Sequence, residues 1–466
     1  MENRGKMKKI NLSNRMRNVV KISSGNIIAQ LISIVTLPII TRMYGAEVIG
    51  AWTTINAIAT ILIYLCDLGL SQAIMVEREE NVIDLYCVVT TISTAICVFS
   101  FTVIILYYSV VLKQDTRTAC INSIFAVVYT FTFRQVQTCY VWLNRKKDYN
   151  TLMKNPIINY SAIAIFSIIM YILGFKTYGY YVGTTLGQVL TLLHMKRRLP
   201  KEMFCFSSER IKSTITENDE FVKFQMPAQI AAQARQQLPN LLIGSLFGNK
   251  VLGYFSISQK LISIPVNFIG QALGKVFYQT LAELQRQGDN ISYFVKRNMS
   301  RAMKVAFVPM VLFAAFGDAA IVMFFGAEYS IGGTISRIMV FRACFTFIST
   351  SLTGIDIVLR KQKYSMITCV TQTVLASLGV IVSYYLTNNI YVCTFFIVIS
   401  FIIVQMLYFG KMYSVMHLKP LNYYMGISVL LVSVLLCSYG LRYAFVWITN
   451  VTGLPLFTWL KSFMVM

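Results

Sequence analysis

The chain has 466 residues, of which 56% are hydrophobic and 13% charged, and its 42 Lys+Arg against 19 Asp+Glu give a net charge of +23. A soluble domain carries roughly twice that charged fraction, which excludes a soluble nucleic-acid binder with a charged core, and the hydrophobicity excludes a disordered chain. Length and the scatter of the 10 Cys exclude a disulfide-stapled secreted domain, and a polytopic membrane protein with basic loops remains.

The basic N-terminus, residues 1–17, has no small-residue cleavage site after it and reads as a retained cytoplasmic end. Apolar segments of roughly 20 residues, the length that crosses a bilayer, are predicted at 18–41, 48–70, 85–111, 118–142, 151–173 and 176–195. A polar stretch at 196–220 reads as a cytoplasmic linker. Six more spans follow at 221–247, 251–277, 301–325, 331–359, 364–386 and 390–412. The tail, 413–466, holds one further span at 424–446 and a short last stretch whose topology stays open. The predicted class is all-α and polytopic, with about 12 core transmembrane helices. They form two pseudo-symmetric six-helix lobes, 18–195 and 221–412, plus one or two C-terminal helices.

Basic residues fall on one side through every alternation. That side holds the N-terminal cluster, Arg145, Lys146, Lys147, Arg197, Arg198, Arg297, Arg360, Lys361 and Lys363, while the opposite loops hold only Arg42, Lys113, Arg117, Lys176 and Lys250. The positive-inside rule places the first group and the N-terminus in the cytoplasm. The halves also echo one another. YGAEVIGAW (Tyr44–Trp52) matches FGNKVLGYF (Phe247–Phe255), and WLNRKKDY (Trp142–Tyr149) matches VLRKQKY (Val358–Tyr364), each at the same topological place. Two such echoes point to a duplicated six-helix unit.

Three segments carry a family resemblance: LPIITRMYGAEVIGAW after the first span, DLGLSQAI (Asp67–Ile74) closing the second, and FFGAEYS (Phe324–Ser330) after the ninth. With the six-plus-six layout, they resemble Wzx-type polysaccharide (O-antigen) flippases of the multidrug/oligosaccharidyl-lipid/polysaccharide exporter superfamily, over roughly residues 18–415. The resemblance implies an alternating-access transporter in the bacterial inner membrane. Its cargo would be undecaprenyl-diphosphate-linked oligosaccharide repeat units for O-antigen, lipopolysaccharide or a related surface polymer. Membrane lipids, and a polysaccharide polymerase and chain-length regulator, are the implied partners, with no nucleic acid.

Ionisable and amide side chains inside spans are costly unless they face a cavity or a partner. At 100° per residue, the eighth span aligns Ser256, Lys260, Ser263, Asn267 and Gln271. Lys260 lies roughly 13 Å from the outer end. The tenth span aligns Arg342, Thr346, Ser349, Thr353 and Asp356, and the fourth aligns Ser123, Thr130, Arg134 and Thr138. Asn26 and Gln30 share a face on the first span, Thr60, Tyr64 and Asp67 on the second, and Gln225, Gln229, Gln233, Gln236 and Asn240 on the seventh. Together these predict an aqueous cavity with a cationic surplus. Lys260, Arg342 and Arg134 suit diphosphate oxygens. Asn267, Gln271, Gln229, Gln233, Asn26 and Gln30 suit sugar hydroxyls. Asp356 is the ion-coupling candidate, and a pair with it or with a helix end is the structural reading of Arg342. Structural readings stand beside these: Arg134 snorkelling to the inner interface, Asp67 as an ion-pair partner, and Arg235 and Arg337 off the polar faces.

No catalytic set, phosphate-binding Gly-rich loop or Cys/His cluster occurs, so neither an enzyme site, a cofactor nor a metal is expected. Three alternatives remain open. A lipid II flippase would suit the extra C-terminal span, but the first two spans offer only Lys21 and Arg42 as cations. A cation-coupled multidrug exporter would want an acidic cavity, and a polytopic scaffold of an assembly complex would have no use for buried cations.

Overall fold

The computed structural model describes residues 2–204, 211–452, 458 and 461–464. Side chains are described from Lys21 onward, apart from those of residues 80, 204, 265, 267 and 268. Within these residues the chain is helices joined by short turns, and no strand occurs.

The helices run in order α1 (Glu2–Asp67), α2 (Leu70–Ala73), α3 (Glu79–Leu106), α4 (Thr116–Arg145), α5 (Tyr149–Ile172), α6 (Gly179–Lys196) and α7 (Ile211–Glu217). They continue as α8 (Met226–Phe247), α9 (Asn249–Gln287), α10 (Ile291–Phe325), α11 (Ser330–Ser351), α12 (Ile355–Val358), α13 (Gln362–Thr387), α14 (Ile390–Val415) and α15 (Pro420–Thr452). Each predicted span overlaps one of these helices, and the protein is an all-α polytopic membrane protein. Eight of the described helices are both long and apolar enough to cross a membrane. The first of them, Lys21–Asp67, is 47 residues long and holds two predicted spans. Helices α4, α6, α8 and α9 reach 18 to 39 residues but are more polar. Three of these four carry predicted site residues, and polar helices at bilayer depth must face protein or a cavity.

The first predicted outer loop contracts to a single residue. Gly45 (φ 77, ψ 170) breaks α1 into two spans, and Gly248 (φ 87, ψ 166) separates α8 from α9 in the same way. These are the equivalent glycines of the echoed YGAEVIG and FGNKVLG segments. Both adopt a backbone conformation essentially confined to glycine, so the sequence echo is also a conformational one. Gly326 (φ 103, ψ 165), in the FFGAEYS segment, repeats it before α11.

Other short connections are made by capping side chains, which satisfy helix N–H groups left without a partner. Asp115 accepts from Thr118 N at 3.0 Å, Asp148 from Thr151 N at 3.2 Å, Asn290 from Ser292 N at 3.1 Å and Asn389 from Tyr391 N at 2.8 Å. Two predicted spans end early. Leu68 (φ 49) and Gly69 (φ 77) stop α1 at Asp67, and Gly354 (φ 82) sets α12 apart from α11. Thr353 and Asp356 therefore do not continue the helix that carries Arg342, and the expected common face of these residues is corrected.

The chain divides into two compact units, Met1–Gln237 and Leu238–Met466, with the division inside α8. In the first, α5 packs on α1 and α6, and a buried cluster that includes Leu70, Ile74, Tyr86, Leu143 and Met195 lies around α2, α3 and α4. The Lys146 ammonium pairs with Glu79 and sits over the Trp142 ring, so the basic turn after α4 lies beside the start of α3, as the loop-charge alternation requires. In the second unit, α11 packs closely on α9. A Cβ at Gly270 would lie 2.2 Å from Thr350 Oγ1, and one at Gly274 would lie 2.1 Å from the Thr350 carbonyl oxygen. Small residues four apart permit this approach of two helix backbones. Helix α15 packs on α10 and α14.

Candidate functional site

The first unit contains a polar cavity of about 130 Å³ where the end of α1, α2, α4 and α8 meet. Its wall includes Thr60, Tyr64, Asp67, Gln72, Arg134, Gln137 and Gln229. The local backbone explains why these groups converge. Helix α1 stops at Asp67, and the left-handed pair Leu68–Gly69 turns the chain so that α2 begins beside it. Ser71 then donates from its N–H (3.1 Å) and its hydroxyl (2.8 Å) to the two oxygens of Asp67. Gly69 also lets the chain before α8 approach, since a Cβ there would lie 2.7 Å from the Phe221 carbonyl oxygen.

Arg134 and Asp67 form the charged centre. Arg134 Nη2 lies 3.1 Å from Asp67 Oδ1, with the side chains 3% and 1% exposed. Arg134 Nε and Nη2 also reach Thr138 Oγ1, at 3.3 and 3.0 Å. Behind Arg134, Gln135 of the same helix accepts from Tyr86 OH at 3.1 Å and donates to Thr90 at 3.3 Å, which fixes α4 against α3. Arg134 Nη1 has no hydrogen-bond partner among the described residues, and a guanidinium in a polar cavity with a spare donor can take an anionic oxygen.

The predicted residues separate into those this cavity unites and those it does not. Arg134 and Gln229 line it, and Gln233 Nε2 reaches Tyr64 OH, one of its wall groups, at 3.5 Å. Asn26 is exposed and Gln30 half-buried, and neither lines it. In the second unit, Lys260 and Gln271 are exposed on α9. Arg342 is half-buried, with its guanidinium 5.2 Å from the centre of the Phe401 ring. The Asn267 side chain lies outside the described residues. A second cavity, of about 80 Å³, lies between α9, α10 and α11, with a wall that includes Ile262, Val266, Met310, Phe313 and Phe347. Neither Lys260 nor Arg342 lines it.

One electrostatic expectation is corrected. The buried cationic surplus does not include Arg134, because Asp67, which the sequence also offered as an ion-pair partner, lies 3.1 Å from its guanidinium. Asp356 lies beyond the left-handed Gly354, on α12 and not on the helix that carries Arg342.

Residues 26–331, more than half of the chain, match the family model described as polysaccharide biosynthesis protein. The chain belongs to that family. No curated protein matches it by sequence. Among solved structures, the family member is similar to the lipid II flippase MurJ in an inward closed conformation, with a TM-score of 0.71 and 11% identity over 93% of this chain and 100% of that one. It is also similar to an inward-facing multidrug-resistance MATE family transporter of the MOP superfamily, with a TM-score of 0.59 and 15% identity over 86% of this chain and 98% of that one. A MOP superfamily transporter from Pyrococcus furiosus, described as having a binding pocket of reversed polarity, gives 0.54 and 15% over 86% and 95%. At these identities the likeness is one of fold.

Sequence reasoning missed a second buried charge cluster of this family member. Asp318 of α10 is fully buried, and Arg442 of α15 binds it with Nη1–Oδ1 at 3.0 Å and Nη2–Oδ2 at 2.8 Å. The signal was present, since Asp318 is the one acid in span 301–325 and Arg442 the one charged residue in span 424–446. Gln72 and Gln137, which complete the cavity wall in the first unit, gave no such signal, because a single glutamine fixes no face by itself.

Proposed function

We propose that the protein is a flippase that moves undecaprenyl-diphosphate-linked oligosaccharide repeat units from the cytoplasmic to the outer leaflet of the bacterial inner membrane. The product would serve O-antigen or related surface polysaccharide assembly, in the Wzx manner. The observation that carries this reading is the buried guanidinium of Arg134 in a cavity walled by amides and hydroxyls. Those groups match a phosphorylated sugar: the guanidinium fork fits phosphate oxygens, and amides exchange hydrogen bonds with sugar hydroxyls. Membership of the polysaccharide biosynthesis family supports it.

A cavity of about 130 Å³ is near the size that holds one benzene-like ring, so it takes one part of a headgroup. Alternating access would enlarge it. In this scheme the diphosphate displaces Asp67 from Arg134, with Gln229, Gln233, Gln72 and Gln137 contacting sugar. Lys260, Arg342, Asn267 and Gln271 are the proposed contacts of the second unit, and Asn26 and Gln30 those of the first span. Asp67 joins Asp356 as an acid that a coupled proton would load. The N-terminus and basic loops are cytoplasmic in this reading. A diphosphate diester carries about two negative charges, and each moves outward downhill by roughly 2.3 kcal/mol per 100 mV of inside-negative potential. A polymerase and a chain-length regulator would act on the delivered units.

Similarity to a lipid II flippase over the whole of that chain favours peptidoglycan precursor as a second cargo reading. Against it, spans one and two contain no arginine before the outer turn at Arg42.

The test is a leaflet-resolved assay in proteoliposomes. A lipid-linked oligosaccharide with an undecaprenyl diphosphate anchor, loaded in one leaflet, should reach the other with the intact protein and fail to do so with Arg134→Gln. Equal movement of the two proteins would remove Arg134 from the site. No movement of this cargo, with movement of lipid II, would replace the first reading by the second.

A further inference from the structure

The Asp318 cluster in the second unit holds more positive charge than its carboxylate can neutralise. Arg442 engages both carboxylate oxygens and also donates to the Ala315 carbonyl at 2.7 Å. Asp318 Oδ1 also accepts from Ala319 N at 3.0 Å. A second guanidinium, Arg337 of α11, donates its Nε to the Ala314 carbonyl at 2.9 Å, but its Nη1 stays 3.9 Å from Asp318 Oδ2. That separation is too long for a hydrogen bond. Arg337 Nη2 has no partner among the described residues.

One carboxylate between two guanidiniums leaves one positive charge over. The acids of residues 238–466 are Glu283, Asp289, Asp318, Glu328 and Asp356. Glu328 is matched by Lys250 at 3.6 Å. Glu283 and Asp289 lie around the end of α9, and Asp356 lies on α12, all at the opposite ends of the spans. Arg337 sits seven residues into α11 and Asp318 seven residues before the end of α10, so both lie about 10 Å along their helices from the turn at Gly326. The surplus is therefore at bilayer depth, toward the face opposite the basic loops.

We propose that Arg337 is a phosphate-binding arginine that takes the headgroup phosphate of a membrane-anchored lipid. A cation at bilayer depth is costly without an anion, and the anions available there are lipid phosphates. Basic pockets between transmembrane helices bind such headgroups, and the guanidinium fork matches phosphate oxygens. The surroundings are those of a lipid-facing surface. The Arg337 side chain is 23% exposed, and Tyr439, within electrostatic range of it, is 65% exposed beside Leu436 at 70%. Arg442 has the structural task of tying α15 to α10, and Arg337 is the group left to bind. The inference rests on the charge count and exposure of this cluster, and stands whether or not the protein flips glycans.

The ligand chemistry is shared by a glycerophospholipid and a polyprenyl phosphate. The test is lipid retention by the purified full-length protein, measured by native mass spectrometry with phosphatidylglycerol, undecaprenyl phosphate and, as the uncharged control, diacylglycerol. The intact protein should retain a phosphate-bearing lipid over diacylglycerol. Arg337→Gln should lower that retention about tenfold or more, the worth of a charge-assisted bond, and Arg337→Lys, which keeps the charge, should lower it less. Preference for phosphatidylglycerol would make this a resident-lipid site, and preference for undecaprenyl phosphate would make it a site for the carrier; either supports the proposal. Retention by Arg337→Gln equal to that of the intact protein, or no preference over diacylglycerol, would overturn it.

Discussion

Arg134 Nη2 lies 3.1 Å from Asp67 Oδ1, and both side chains are withdrawn from solvent. Breaking a buried pair by removing one partner strands the other, at a cost of about 3–5 kcal/mol, whereas removing both charges together is far milder. Arg134→Gln and Asp67→Asn should each lower thermal stability, and the double variant should recover most of the loss. Transport should stay absent in the double variant, because the anion-binding group is gone. Thermal unfolding beside leaflet transport separates the two roles; a double variant that transports would show the pair to be structural.

Gly45 and Gly248 share a conformation that a Cβ opposes through the backbone, with open space around each. Gly45→Ala and Gly248→Ala should each cost about 1–3 kcal/mol. The similar size of the two losses, read as shifts in unfolding temperature, checks the internal repeat.

Gly274 faces a carbonyl oxygen of Thr350, and Gly270 faces the hydroxyl of the same residue. A hydroxyl can rotate aside, but a helix carbonyl cannot. Gly274→Ala should therefore destabilise the second unit more than Gly270→Ala, by about 1–3 kcal/mol, the usual cost of overpacking. Equal effects in thermal unfolding would contradict the close approach of α9 and α11.

Asp115, at the start of α4, has its carboxyl held below the ordinary value by hydrogen bonds from the Thr118 side chain and backbone. A depressed folded-state value contributes stability above the unfolded carboxyl pKa and loses it as pH falls through the folded value. Acidification should weaken the cap, and Asp115→Asn, which still accepts from Thr118, should flatten that part of the stability–pH profile. A profile unchanged by the substitution would show that the cap does not titrate.

The layout was legible in the sequence because it rests on periodic, additive signals. Apolar stretches of span length and alternating loop charge locate the long helices, though not the short α2, α7 and α12, and the echoed glycines at 45 and 248 share one conformation. The cavity was legible in part. Helical phase put Arg134 and Gln229 on polar faces, and both line the cavity, but phase alone does not say which faces meet. The Arg134–Asp67 pair depends on a two-residue left-handed turn at Leu68–Gly69, and the separation of Arg342 from Asp356 on Gly354. Both are single-residue backbone events that break the periodicity from which faces are read. The Asp318–Arg442 pair joins residues 124 positions apart, a distance over which one sequence carries no register.

The translocation step is tested most directly by the leaflet-resolved profile of lipid-linked intermediates in a deletion strain. Undecaprenyl-diphosphate repeat units should accumulate on the cytoplasmic face with loss of surface polymer, and the intact protein, but not Arg134→Gln, should restore both. An unchanged profile with normal surface glycan would contradict the account.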